Sequence, residues 1–236
     1  MSQKLGVTIN SLLIKKHKTM ERAYGLEIPQ SIEEVCHPAK MALLVYDLQI
    51  GIMSQLSPEK GNRIKKKVLQ VLTAAREGGF RVFFGRHLSL PKTAAGVFQL
   101  RQGMMWQRTN KVSEVNPWFL RDSDAFQLIP ELSPRPDEVI FDKITMSAFE
   151  GTFVDIAFRD CGINSFAIVG VATEVGIEPT VRHGADRGYI PVVVTDACGA
   201  GNDEAGERSL EEMKFTGDAI LTDVDTICSL LNKHQK

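Results

Sequence analysis

Two residues that can do acid–base chemistry each end an apolar run, and a glycine stands where a third reactive group would be expected. Asp47 ends the run MALLVYD, and Lys143 ends the run DEVIFDK. A third run leads into the turn GVATEVGIEPT, whose middle residue is Gly176. A carboxylate and an ammonium brought together at an apolar sheet edge perturb each other's protonation. The pattern therefore predicts a site in which Asp47 and Lys143 act together beside a turn without a nucleophile.

Apolar runs alternate with helical patterns from residue 41 onward, and this alternation predicts the fold that positions the two residues. Strands are predicted over 41–47, 80–87, 137–143, 165–171 and 189–196, with a short last strand AIL. Helices are predicted after Ser57-Pro58, over 149–161, 174–187 and 203–215, and at the C-terminus, whereas 88–135 is a long excursion with short helices. Such alternation is typical of βαβ units. The sequence thus predicts a three-layer αβα domain of Rossmann-type topology, with a mostly parallel sheet of about six strands.

The carboxyl ends of parallel strands meet at one edge of the sheet, where ligands bind. Asp47, Lys143 and the turn after residue 171 are therefore expected at a single site. His87 ends the second strand, and it could bind a carboxylate or carbonyl group of a substrate. Three aromatic residues could line the pocket: Trp106, Trp118 and Phe149.

Composition excludes several other functions. The chain has 236 residues and a formal net charge of −1, which gives no electrostatic case for binding nucleic acid or an anionic membrane. No apolar run approaches the roughly 20 residues of a membrane helix. The four cysteines form no CxxC pair, and no signal-peptide cleavage site follows the N-terminal stretch, so a cytoplasmic protein with reduced thiols is expected. The five histidines lack ligand spacing, so neither a metal nor another cofactor is predicted.

Four segments, in order, resemble the isochorismatase-like hydrolases, also called cysteine hydrolases. They are LLVYDLQ (43–49), DKITMSAFEGT (142–152), VGVATEVG (169–176) and GADRGYIPVVVTDACGA (184–200). The resemblance covers roughly residues 40–225 and implies a hydrolase domain over 41–236 behind an N-terminal arm, 1–40. It also implies a small-molecule substrate and a homo-oligomer, either a dimer or a tetramer.

The resemblance implies roles for individual residues. In the family an aspartate, a lysine and a cysteine form the catalytic triad, and these positions are Asp47, Lys143 and Gly176 here. Backbone amides at the turn after the fourth strand bind an oxyanion, and a cis peptide bond is expected near Val171-Ala172. Substrate or oxyanion contacts are implied for Gln49, His87, Phe149, Val171, Ala172 and Thr173.

Gly176 leaves three interpretations open. In the first, the chain resembles true isochorismatases, which carry glycine at this position and hydrolyse a vinyl ether. Asp47 would then protonate the methylene carbon of the vinyl ether, and Lys143 would orient Asp47. In the second, the chain is an amidohydrolase that lacks its cysteine: Leu48 departs from the methionine usual in isochorismatases, and the ATE triplet of residues 172–174 resembles the amidohydrolase branch. In the third, it is a non-catalytic binding member.

Electrostatics leave one question open for the first interpretation. A nearby ammonium lowers the pKa of Asp47, whereas burial raises it, as a general acid requires. Among the cysteines, Cys198 is expected to be a buried residue without a catalytic role rather than a substitute nucleophile. Cys161 and Cys228 are expected in the core.

Overall fold

A six-stranded parallel sheet carries the strand ends on which the predicted site depends. The computed structural model describes residues 20–234. A separate antiparallel ribbon is formed by β1 (Glu21–Ala23) and β2 (Leu26–Ile28). The main sheet comprises β3 (Met41–Tyr46), β4 (Arg81–His87), β5 (Val139–Lys143), β6 (Ser165–Val171), β7 (Ile190–Gly199) and β8 (Ile220–Thr222). The order across the sheet is β5-β4-β3-β6-β7-β8, so β3 and β6 are the central strands.

Eight α-helices accompany the strands within residues 20–234. They are α1 (Ile32–Val35), α2 (Ile50–Met53), α3 (Pro58–Glu77), α4 (Val97–Trp106), α5 (Val154–Asp160), α6 (Glu178–Asp186), α7 (Asp203–Thr216) and α8 (Val224–Asn232). Single 3₁₀ turns cover Val112–Glu114, Asp124–Phe126 and Pro130–Leu132, and a π-helical turn covers Thr173–Ile177. In this part of the chain no helix is long and apolar enough to cross a membrane.

The sheet separates two hydrophobic cores, which confirms the predicted three-layer αβα fold. Helices α3 and α8 pack on one face, and α5, α6 and α7 pack on the other. Strand β3 is buried at every position, and its side chains alternate between the cores: Leu43 and Val45 face α3, whereas Leu44 and Tyr46 face α6. This alternation directs Tyr46 toward the turn that contains Gly176.

Element boundaries differ from the sequence prediction at three places. The helix predicted over 149–161 begins only at Val154, because Phe149 turns into the core and Gly151 adopts a φ of 70°. The helix predicted from residue 174 begins with the π-helical turn, and β7 continues to Gly199. The predicted N-terminal arm lies partly outside the described residues, since its first 19 positions are not among them.

Candidate active site

Strand register brings the side chains of Asp47, His87 and Lys143 to the same edge of the sheet. Strand β4 lies between β3 and β5, with Tyr46 opposite Gly85 and His87 opposite Lys143. Asp47 follows β3 directly, and its Oδ2 lies 2.7 Å from the Nζ of Lys143. The Lys143 side chain is fully buried and that of Asp47 is 7% exposed. The two residues expected to act together are thus in direct contact in a buried ion pair.

Burial is the largest influence on the pKa values of this pair. It raises the pKa of Asp47 to about 6 from an ordinary value of 3.8, although the charge of Lys143 and the hydrogen bond from it act in the opposite direction. Burial likewise lowers the pKa of Lys143. The question that the sequence left open is therefore answered in favour of desolvation, and the Asp47 carboxyl is more easily protonated than an exposed one.

The second carboxyl oxygen of Asp47 is not held by a hydrogen bond within residues 20–234. Oδ1 is buried and has no hydrogen-bond partner among residues 20–234. The backbone of Asp47 has a φ of 51°, a left-handed conformation that non-glycine residues seldom adopt outside turns and functional sites. Since Oδ2 is held by Lys143, Oδ1 is the carboxyl oxygen that no other group of the described chain engages.

The space beside Gly176 is filled by the ring of Tyr46. A Cβ atom added at Gly176 would lie well inside 3.0 Å of the phenol oxygen and of two ring carbons, Cε1 and Cζ. The ring is fixed from both sides, because its hydroxyl donates to the carbonyl of Met146 and Lys143 Nζ lies 4.2 Å from its centroid. Burial raises the pKa of Tyr46 well above its usual value, so the group stays a neutral phenol. With the ring in this position, a side chain does not fit at position 176.

Tyr46 is one of the site residues that sequence reasoning missed. The available signal was a large aromatic residue at the last position of a central strand, directly before the acidic residue. Its direction depends on the strand register, which the sequence did not provide.

A cavity of about 380 Å³ lies over Asp47 and Gly176. This volume is within the range of small-molecule sites. Seven of the residues that the sequence predicts at the site line it: Asp47, His87, Trp106, Trp118, Val171, Ala172 and Gly176. Met105, Phe119 and Met146 add further apolar surface, while Lys143 lies behind Asp47 and does not line the cavity.

Three residues expected to contact a substrate or oxyanion lie elsewhere, because other groups hold their side chains. The side-chain amide of Gln49 donates to the carbonyls of His87 and Phe126 and accepts from the backbone N–H of His87. Phe149 packs in the core against the rings of neighbouring aromatic residues. The hydroxyl of Thr173 donates to the carbonyl of Gly199.

The turn after β6 has the expected cis peptide bond but not free amides at its centre. The bond between Val171 and Ala172 is cis. The backbone N–H groups of Val175, Gly176 and Ile177 all donate to the carbonyl oxygen of Ala172, at 3.0–3.3 Å. An oxyanion bound by these three amides would have to displace that carbonyl.

His87 lines the cavity as a neutral imidazole. Burial and the nearby charge of Lys143 lower its pKa to about 3, despite a backbone hydrogen bond that acts in the other direction. His87 therefore adds polarity to the cavity without adding charge at neutral pH.

The cysteines do not supply the missing nucleophile. Cys198 is absent from the cavity lining, its Sγ lies 3.6 Å from the carbonyl oxygen of Ile168, and burial raises its pKa well above the usual value. Cys161 is exposed, which corrects its expected place in the core: it lies at the solvent-facing end of α5. Cys228 is partly buried. Among residues 20–234 no group of three His, Cys, Asp or Glu side chains could hold a metal ion.

Comparison with known proteins finds a family model, relatives and solved structures that are similar to this chain. The family model of the isochorismatase domain matches residues 41–225. The chain is 28% identical over 174 residues to the ureidoacrylate amidohydrolase RutB of Acinetobacter baylyi, covering 68% of this chain and 71% of that protein. It is 30% identical over 186 residues to nicotinamidase 3 of Arabidopsis thaliana, covering 79% and 86%. A solved cysteine hydrolase from Pseudomonas syringae pv. phaseolicola has the same fold, with a TM-score of 0.71 at 20% identity over 92% of this chain and 99% of that one.

Proposed function

The chain belongs to the isochorismatase family, and we propose that it hydrolyses a small metabolite by acid–base chemistry without a covalent enzyme intermediate. The reaction class that fits is the hydrolysis of a vinyl ether or a related bond. Asp47 is the general acid, and Lys143 orients it and balances its charge. Their contact, their burial and the position of Asp47 in the cavity lining support this assignment.

The observation that carries the proposal is the filled space at Gly176. Covalent catalysis needs a nucleophilic side chain within reach of the base. Position 176, where the family resemblance puts the cysteine, is closed by the Tyr46 ring, whereas the Oδ1 atom of Asp47 has no partner among the described residues. The site thus retains an acid and lacks a nucleophile.

The proposed reaction balances without any other reactant than water. Protonated Asp47 gives its proton to the methylene carbon of the vinyl ether, and the double-bond electrons form the new C–H bond. The ether oxygen then shares the positive charge of the resulting oxocarbenium ion. Water adds to the carbon that carries the ether oxygen and returns a proton to the Asp47 carboxylate. The hemiketal finally breaks into an alcohol and a methyl ketone, so one vinyl ether and one water are consumed.

The raised pKa of Asp47 suits this first step. A general acid works best when its pKa lies near the operating pH. With a pKa of about 6, a useful fraction of Asp47 carries a proton near neutrality, which a carboxyl with a pKa of 3.8 does not.

Amide hydrolysis is the second candidate, because the relatives are named as amidohydrolases and nicotinamidases. An amidohydrolase that had lost only its nucleophile would keep space for it. Tyr46 occupies that space, so amide hydrolysis here would have to proceed by direct attack of water.

The test uses 2-methoxyacrylate in D₂O, with simple amides and ureido acids as a parallel panel. Hydrolysis by the proposed route gives methanol and pyruvate with one deuterium in its methyl group, which NMR detects at early times. Asp47→Asn should abolish turnover because an amide cannot donate this proton. Asp137→Asn, a change at an exposed carboxylate, is the control. Full activity of Asp47→Asn, or turnover of amides alone, would contradict the proposal.

A further inference from the structure

Arg108 lies directly beyond the end of α4, where the chain has a left-handed turn. Its φ is 54°, although it is not a glycine. Non-glycine residues in this conformation occur disproportionately at binding sites. Arg108 is exposed and also lines the cavity over Asp47, so it borders the solvent side of the cavity, whereas Asp47 is buried.

The ionisable groups that line the cavity leave one charge unbalanced. They are Tyr46, Asp47, His87 and Arg108. Asp47 is paired with Lys143, and Tyr46 and His87 are neutral. Within residues 20–234, no carboxylate lies at ion-pair distance from Arg108. The cavity therefore presents a single positive charge that nothing in the described chain neutralises.

The chemistry of this charge selects the ligand. A guanidinium group has a planar fork of N–H donors that matches the two oxygens of a carboxylate. Beside it, the Trp106 and Trp118 rings stack at 11° to each other, and both contribute to one aromatic wall of the cavity. A planar, unsaturated carboxylate complements both features.

We propose that Arg108 binds the carboxylate of the substrate and selects small, unsaturated anionic molecules over neutral ones. The planar body of the substrate lies along the Trp106 and Trp118 wall. The statement that its reacting bond then reaches Asp47 rests on the function proposed above, whereas the binding of the anion does not.

The two tryptophans provide the measurement. The chain contains two Trp residues, and both line the cavity, so intrinsic fluorescence reports its occupancy. The probes are 2-methoxyacrylate and its neutral amide, 2-methoxyacrylamide, titrated into the full chain at fixed ionic strength. The variants are Arg108→Gln and Arg108→Lys, and the control is Arg101→Gln, which removes an equal charge from α4 outside the cavity.

The unmodified protein should bind the carboxylate about tenfold more tightly than the amide, a moderate value because Arg108 is exposed. Arg108→Gln should remove this preference and leave the affinity for the amide unchanged. Arg108→Lys should retain part of it, since a lysine keeps the charge without the planar fork. Arg101→Gln should behave like the unmodified protein.

Three results overturn the inference: equal binding of the two probes, binding of neither, or a preference that survives Arg108→Gln. Turnover is followed separately. Preferential binding of the anion without turnover would contradict the proposed reaction alone. Equal turnover of both probes, unchanged in Arg108→Gln, would contradict the role of Arg108 alone.

Discussion

Replacing Gly176 with alanine tests whether the ring of Tyr46 really closes this position. The new Cβ would lie well inside 3.0 Å of three ring atoms, so the ring or the turn must move. Overpacking of this kind costs about 1–3 kcal/mol. If the ring moves, its buried hydrogen bond to Met146 is lost as well, which adds about 1 kcal/mol. We expect Gly176→Ala to lower the free energy of unfolding by about 2–4 kcal/mol.

Gly61→Ala is the matched control. Gly61 is also buried, in α3, but the nearest atoms to an added Cβ are 3.8 Å away. Alanine is favoured over glycine inside a helix, so this change should be neutral or stabilising by up to about 1 kcal/mol. Urea denaturation of both variants gives the comparison.

Second substitutions identify the atoms responsible. Tyr46→Phe removes the hydroxyl but keeps Cε1 and Cζ, so it should not rescue Gly176→Ala. Tyr46→Leu removes all three atoms and should make the double variant more stable than additivity predicts, with a coupling of about 1–3 kcal/mol. Equal stability of Gly176→Ala and Gly61→Ala, or strict additivity with Tyr46→Leu, would refute the packing argument.

Three further predictions follow from charges and exposure. Because the pKa of Asp47 rises from 3.8 to about 6 on folding, its contribution to stability is fully present below pH 3.8 and is lost as the pH rises through 6. Relative to Asp47→Asn, the unmodified protein should therefore be more stable at pH 4 than at pH 8, as measured by urea denaturation. Arg76→Met should lower the free energy of unfolding by about 3 kcal/mol, because it leaves the buried carboxylate of Glu138 without its ion-pair partner. Glu138→Gln should lower it less. Thermal unfolding followed by circular dichroism compares the two variants, and equal losses of stability would refute the reasoning. Iodoacetamide should label Cys161 first and leave Cys198 unmodified in the folded protein, as intact-mass and peptide mapping would report; early labelling of Cys198 would show an activated thiol.

The strands of the sheet were predictable because their residues carry a local signal. The runs that became β3 and β6 are continuously apolar, as strands covered on both faces must be. The contact between Asp47 and Lys143 followed from a general rule on strand ends rather than from any pairing information. The order of the strands and their register had no such signal, since both depend on contacts between distant segments.

Contacts between distant segments also explain why some residues were predicted at the site but lie elsewhere. Phe149 and Gln49 have side chains that suit either a pocket wall or the interior, and only the surrounding structure decides between them. The side-chain amide of Gln49 is hydrogen-bonded to the end of β4 and to the carbonyl of Phe126, and these bonds link the two segments. Arg108 lies in the excursion of residues 88–135, where periodicity is weakest, so no sequence pattern assigned it to the cavity.

The central position of β3 has a consequence for how the chain folds. Leu43 pairs with Val82 on one side and with Ala167 on the other, so its second partner strand is made much later during synthesis. Parallel pairing between distant segments is slow, because the entropy of closing a long loop is lost before favourable contacts form. Until β6 arrives, a wholly apolar strand keeps one edge unpaired, which is the kind of segment that chaperones shield from aggregation. A slip of one residue in this late pairing would turn Tyr46 to the opposite core, so the binding cavity can appear only after the last central strand has found its register.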